Sequence, residues 1–321
     1  MHKLRAIIFI LLSCIFLGCN YFKGEKSLAR ADISLMIKLV KTGIDQHYFD
    51  KNKGAELNRK LTQMELQHKF DSVSTDSAAK MITEMLRREA KDKHFNVMSF
   101  SSLPTKQEPK NKPAYSSTGI SNVKILNNKI GYMKWDLCVA GEEAFTGLRK
   151  TLDSLSECEK LIFDISENPG GDGASSAFIN QFLYKSKDYQ TLLKKKCTGE
   201  NNWHQSEVIF NYENGPTFFD KPVYIIISDK TFSAAEYFAF TAKEMKRATL
   251  LGKTTAGAGN PGNTFSFASP NTDTIFWMFI PNCQIITRDG KSIEGFGVQP
   301  DVTLKSSDWL NETLAYIAQK G

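Results

Sequence analysis

Apolar residues recur at helical spacing early in the chain: Ile33, Met36, Ile37, Val40 and Ile44, then Ala78, Met81, Ile82, Met85 and Leu86. The spacing predicts helices from Ser27 to about Ala90, with Thr75-Asp76-Ser77 supplying capping residues for the second set. A short apolar piece, His94–Phe100, follows. From Leu103 to Ser117 the sequence LPTKQEPKNKPAYSS crowds prolines and lysines without periodicity, which reads as a linker or long surface loop. Beyond it strands and helices alternate. Lys129–Trp135, Lys160–Ile165, Val223–Ile227 and Thr249–Leu251 read as strands, and Gly141–Ser156, Ala174–Leu183 and Ser233–Lys246 as helices. Thr264–Ala268 pairs with Ile275–Ile280 as a hairpin, Gln284–Thr287 leads to Asp289-Gly290, and a helix over Asp308–Ala318 closes the chain. The expected fold is α/β: a mostly parallel sheet with crossover helices, preceded by a small helical domain, with ligand sites in loops leaving the carboxyl ends of strands. The expected layout is a leader over residues 1–19, a helical domain over 20–100, a linker over 101–118 and a core over 119–321.

The leader reading comes from MHKLRAIIFILLSCIFLGCN, where positive charges precede an apolar run shorter than a comfortable membrane span. Gly18-Cys19 resembles a bacterial lipobox, which makes Cys19 the expected lipidation site; Phe16 stands where leucine is usual. Cys14, after Leu11-Leu12-Ser13, is an alternative with a shorter apolar core, and an uncleaved anchor is another. An exported lipoprotein is expected, membrane-anchored and facing periplasm or cell surface. The formal charge of +6 falls to +4 once Lys3 and Arg5 are removed, with basic and acidic residues interspersed. That describes a solvated surface, not a nucleic-acid face. Cys138, Cys158, Cys197 and Cys283 show neither paired spacing nor a nearby histidine at ligand spacing, so zinc is not expected. Disulfides and buried thiols both remain open for them.

Two loops could carry chemistry. Glu167-Asn-Pro-Gly-Gly-Asp-Gly173 leaves one predicted strand, and the Ser228–Phe232 turn leaves another and ends at Ser233, where a helix begins. A serine at a helix N-terminus can act as a nucleophile, with unpaired amides of the first turn holding an oxyanion. Ser233-Ala-Ala-Glu236 also spells a capping box, and the glycine loop could be no more than a tight turn. It lacks the endings of a phosphate or dinucleotide loop. Among the histidines, His94 in Lys91-Asp-Lys-His-Phe95 precedes an apolar segment and could be a base or a core residue. Glu294, in Asp289-Gly-Lys-Ser-Ile-Glu-Gly-Phe-Gly-Val-Gln-Pro-Asp301, is either a carboxylate that orients a histidine or a solvated turn acid.

Together the motifs over Ile130–Leu304 resemble the tail-specific (C-terminal processing) serine peptidase family. They are Ile130-Gly-Tyr-Met-Lys-Trp135, Leu161-Ile-Phe-Asp-Ile-Ser-Glu-Asn-Pro-Gly-Gly171, Thr231-Phe-Ser-Ala-Ala-Glu236, Arg247-Ala-Thr-Leu-Leu-Gly-Lys-Thr-Thr-Ala-Gly257 and Gly295-Phe-Gly-Val-Gln-Pro-Asp301. Ala258 stands where the Ser–Lys branch has its lysine, Lys253 comes too early, and the chain lacks room for a PDZ-type domain. The chain is therefore similar to the tricorn-core and interphotoreceptor-retinoid-binding-like branch. That resemblance implies a ClpP/crotonase-like core and a peptidase acting on protein or peptide substrates without metal or organic cofactor. It implies Ser233 as nucleophile, His94 as base, Glu294 as orienting acid, and Ala234 with Gly170 or Gly171 as oxyanion donors. Ser166 replaces the usual arginine of the glycine loop, which weakens the ion pair expected to brace it. Two other functions are compatible with the scaffold: a catalytically silent lipoprotein that binds an apolar ligand or partner, and an acyl-CoA enzyme of the crotonase type, which export disfavours.

Overall fold

In the computed structural model the residues described are 27–101, 116–206, 210 and 215–320. Cys19 and Cys14, the leader and most of the linker lie outside them. In chain order the first elements are a helix over 27–47 (α1), Lys51–Leu66 (α2), Thr75–Ala90 (α3) and strand Asn96–Ser101 (β1). Next come Ile120–Leu126 (β2), Ile130–Trp135 (β3), Glu142–Ser154 (α4), Lys160–Asp164 (β4) and Ala174–Leu183 (α5). Leu193–Cys197 (β5), His204–Gln205 (β6), Val223–Ile227 (β7), Ala234–Glu244 (α6) and Thr249–Gly252 (β8) follow. The last are Gly262–Ala268 (β9), Thr274–Pro281 (β10), Cys283–Thr287 (β11), Val302–Thr303 (β12) and Trp309–Lys320 (α7). Among the described residues no helix is long and apolar enough to cross a membrane.

The chain divides into two compact units. In the N-terminal unit, α2 starts at Asp50, whose carboxylate accepts from Lys53 N–H, and α3 starts at Ser74, whose hydroxyl accepts from Ser77 N–H. The apolar face of each helix packs into one core with Ile37, Val40, Ile44, Leu57, Ile82 and Leu86. The expected hairpin exists, β9 antiparallel to β10, but it was expected within the core over 119–321. Residues Gly262–Pro281 instead belong to the N-terminal unit, where β1 also pairs with β10 and gives a sheet ordered β1-β10-β9. The pairing of Asn96 with Phe279 is far too distant in sequence for periodicity to reveal.

The core unit holds a six-stranded sheet ordered β12-β8-β7-β4-β3-β2, parallel throughout except for the antiparallel pair β2–β3. Its central strands read as continuous apolar runs because both faces are covered. Met133, Phe163, Ile225 and Leu250 face a core that includes Leu148, Phe178 and Phe238 of α4, α5 and α6, while Tyr132, Ile162, Ile226 and Leu251 face Ile317 of α7. Strands β4 and β7 are neighbours, so the glycine loop and the serine turn leave adjacent carboxyl ends. Beside this sheet, β5 pairs antiparallel with β11 and β6, and a disulfide joins Cys197 to Cys283. Cys138 and Cys158 are buried free thiols.

Candidate active site

Ser233 sits at the head of α6 with φ 54° and ψ −122°. The two caps of the N-terminal unit, Asp50 and Ser74, have φ of −94° and −72° in the extended region where N-caps ordinarily lie. Ser233 therefore departs from a plain cap, and a non-glycine residue in this region stores backbone strain. The Glu236 carboxylate accepts from Ser233 N–H at 2.9 Å, as the capping pattern read from the sequence expects. Glu236 does more than cap. It is fully buried, and its oxygens also accept from Thr255 Oγ1 at 2.6 Å, Gly257 N–H at 2.6 Å and Ala258 N–H at 2.9 Å. Burial pushes its pKa up, against the pull of those donors.

The glycine loop lies against the serine turn. Phe232 N–H donates to Asn168 O at 3.0 Å, and Thr231 Oγ1 donates to Ile165 O at 2.8 Å. Ser228 Oγ donates to Ser166 O. Gly170 has φ 92°, and a Cβ there would fall 2.6 Å from Phe232 O and 2.8 Å from Ser233 Cβ. At Gly171, φ 130°, a Cβ would fall 2.2 Å from Cys138 O. No side chain fits at either position, and at Gly170 bare backbone faces Ser233. The two amides differ: Gly170 N–H donates to the fully buried Asn168 side chain at 2.8 Å, and the other end of that side chain donates to Trp135 O. Ala234, the first residue of α6, has an N–H with no partner inside the helix. Where the arginine of the family loop is missing, Asp164 accepts from Ser166 Oγ at 2.6 Å and Tyr132 hydroxyl at 2.8 Å. Two neutral donors thus brace the strand end in place of an ion pair.

Residues 255–260 form the mount beneath both candidate side chains of the core unit. Glu236 ties the serine turn to Thr255, Gly257 and Ala258, and Glu294 Oε2 accepts from Gly259 N–H at 2.6 Å and Asn260 N–H at 2.9 Å. Val298 N–H donates to Thr255 Oγ1 at 2.7 Å, and Gly295 N–H to Gly257 O at 2.9 Å, which joins the closing turn to the same segment. Ala258 is fully buried, and Lys253 lies over the Trp309 ring at 5.7 Å on α7.

His94 belongs to the N-terminal unit, between α3 and β1. It is buried and stacks on Phe279 of β10 with ring centroids 5.6 Å apart. Its backbone N–H donates to Asp92 Oδ1 at 2.9 Å, and that oxygen lies 3.8 Å from the ring Nδ1. Burial and then the Arg87 charge push its pKa down to about 4, which leaves the imidazole neutral at pH 7. Arg87 is held by Phe95 O, to which its Nε donates at 2.6 Å.

Three residues at these loops were not assigned such roles from the sequence: Glu236, read only as a cap, Asn168 and Asp92. Asn168 and Glu236 find their partners beyond the reach of local patterns. Asp92 had a signal, a carboxylate two positions before a candidate histidine.

A serine on a strained turn at a helix head, with a glycine loop on the adjacent parallel strand, is an arrangement that can present a nucleophile beside backbone amides able to hold an oxyanion. The profile of peptidase family S41 matches residues 129–304, and the chain belongs to that family. It is 26% identical over 189 residues to a carboxy-terminal-processing protease of Bartonella bacilliformis, a match covering 56% of this chain and 40% of that protein. The chain thus spans about two fifths of the length of that relative. Its fold is similar to a lipoprotein from Streptococcus agalactiae (TM-score 0.57, 16% identity, 89% of this chain and 96% of that one). It is likewise similar to the tricorn protease (TM-score 0.57, 14% identity, 92% of this chain and 37% of that one).

Proposed function

We propose that the chain is an exported, lipid-anchored serine endopeptidase. His94 takes the proton of Ser233 Oγ as that oxygen attacks the scissile carbonyl, and Glu294 orients the base. The tetrahedral oxyanion rests on the Ala234 and Gly171 amides, since Gly170 N–H already donates to Asn168. Collapse of the intermediate expels the amine, which takes the proton from His94, and water then resolves the acyl-enzyme. The neutral imidazole favoured by burial is the form able to accept that proton. The observation that carries the proposal is the Ser233 backbone, strained at the helix head where an ordinary cap is extended.

Support for export comes from the lipobox-like Cys19 and from the Cys197–Cys283 disulfide, a bond that persists in oxidising compartments. Similarity to a structure described as a lipoprotein points the same way. Labelled fatty acid is expected to be incorporated into the wild-type chain and not into Cys19→Ser.

A fluorophosphonate probe tests the chemistry. Labelling is expected for the wild type and is lost in Ser233→Ala; equal labelling of both would sink the nucleophile assignment. A silent binding lipoprotein would show no labelling at all.

A further inference from the structure

Strand β10, TIFWMFIP, is apolar at every position after its first. Such a run ordinarily marks a strand covered on both faces. Here only one face is filled: Phe276, Met278 and Ile280 are buried with Val97 against the helices of the N-terminal unit. The alternate residues Ile275, Trp277 and Phe279 are only partly buried. The register sets Phe100 opposite Ile275 and Met98 opposite Trp277, and these two β1 side chains are 47% and 41% exposed. On the other flank β9 offers Ala268, Ser266 and Thr264 to the same three positions, too small to cover them. None of the three strands carries an Asp, Glu, Lys or Arg, in a chain whose charged fraction is 24%. An open aromatic face without charge is a binding surface seeking an occupant.

We propose that this face receives an extended, uncharged segment of the substrate polypeptide, its apolar side chains lying along Met98, Phe100, Ile275 and Trp277. The assignment rests on His94 being the base described above. His94 itself names the occupant: its ring stacks on Phe279, so the apolar strip runs up to the residue that must meet the scissile bond. A charged segment laid there would lose hydration without gaining a counter-charge. The lysines and arginines that hold a protein face to an anionic bilayer are absent from these strands.

The test uses two end-blocked, fluorescein-labelled decapeptides, one of Leu, Phe and Ser and one of Asp, Lys and Ser. Each is titrated by anisotropy with the full chain carrying Ser233→Ala. The apolar peptide is expected to bind at least about tenfold more tightly. Met98→Lys with Phe100→Lys is expected to remove that difference while circular dichroism stays unchanged; Trp277→Ser is the second variant should the lysine pair unfold. Equal affinity for both peptides overturns the proposal, as does undiminished apolar binding by the variants. So does a lysine pair that spares peptide binding and instead abolishes binding to phosphatidylglycerol-containing vesicles or self-association in light scattering. Fluorophosphonate labelling of the unsubstituted chain is read separately. Labelling without apolar preference defeats this inference alone, whereas apolar binding by a chain that is never labelled defeats the peptidase mechanism and leaves the binding face standing.

Discussion

For a residue with a Cβ, the backbone conformation of Ser233 costs roughly 1–3 kcal/mol, and the hydrogen bonds around it must hold that strain. Ser233→Gly relieves it, and even after the extra entropy of glycine in the unfolded chain a gain of about 1 kcal/mol is expected. Fluorophosphonate labelling disappears in the same variant. A urea melt showing no gain would mean the turn is not strained. His94 ties stability to pH. Its folded pKa, about 4, lies below the ordinary 6.5, so as pH falls through that interval the unfolded chain takes up the proton first and the fold loses stability. Urea midpoints are expected to drop between pH 6.5 and 4, and to drop less in His94→Gln. Identical slopes would contradict the buried, neutral imidazole. At this scale the sequence was informative where chemistry is local: a serine after a strand and two adjacent glycines in a loop could be read directly. Glu236 could not, because its partners Thr255, Gly257 and Ala258 lie on another segment.

Helix α6, the serine turn at its head and residues 255–260 act as one piece through the four hydrogen bonds accepted by Glu236. Glu236→Gln keeps the volume but turns an amide N–H₂ toward donors, and each donor left facing it costs about 1–3 kcal/mol. A loss of roughly that size in chemical denaturation is expected, with slower labelling of Ser233. Unchanged stability would mean the carboxylate is not the tie. Most elements were legible in outline because buried parallel strands give unbroken apolar runs and their crossover helices give helical periodicity. The exceptions have physical reasons. In β5, LKKKC, lysines stand at most positions and only its pairing with β11 makes it a strand. β2 is an edge strand whose Val123 and Ile125 face solvent, so it lacks the signature of burial.

In the molecule as a whole, the disulfide joins two cysteines of the core unit and closes a loop of sequence separation 86. Removing it is expected to cost about 2–4 kcal/mol, by the entropy returned to the unfolded chain. Thermal melts with and without reductant measure this, and Cys197→Ser with Cys283→Ser should melt at the reduced temperature in both. No shift on reduction would argue against the bond. The linear reading of domains went astray at one place, Gly262–Pro281, because strand pairing ignores chain order. That excursion also constrains how the protein is made. In the sheet β1-β10-β9 the middle strand is the later one, so β1 leaves the ribosome without a neighbour. Until Phe279 has been synthesised, the apolar edge of Asn96–Ser101 stays unpaired and prone to adhere to other chains. The N-terminal unit is translated first and completed late.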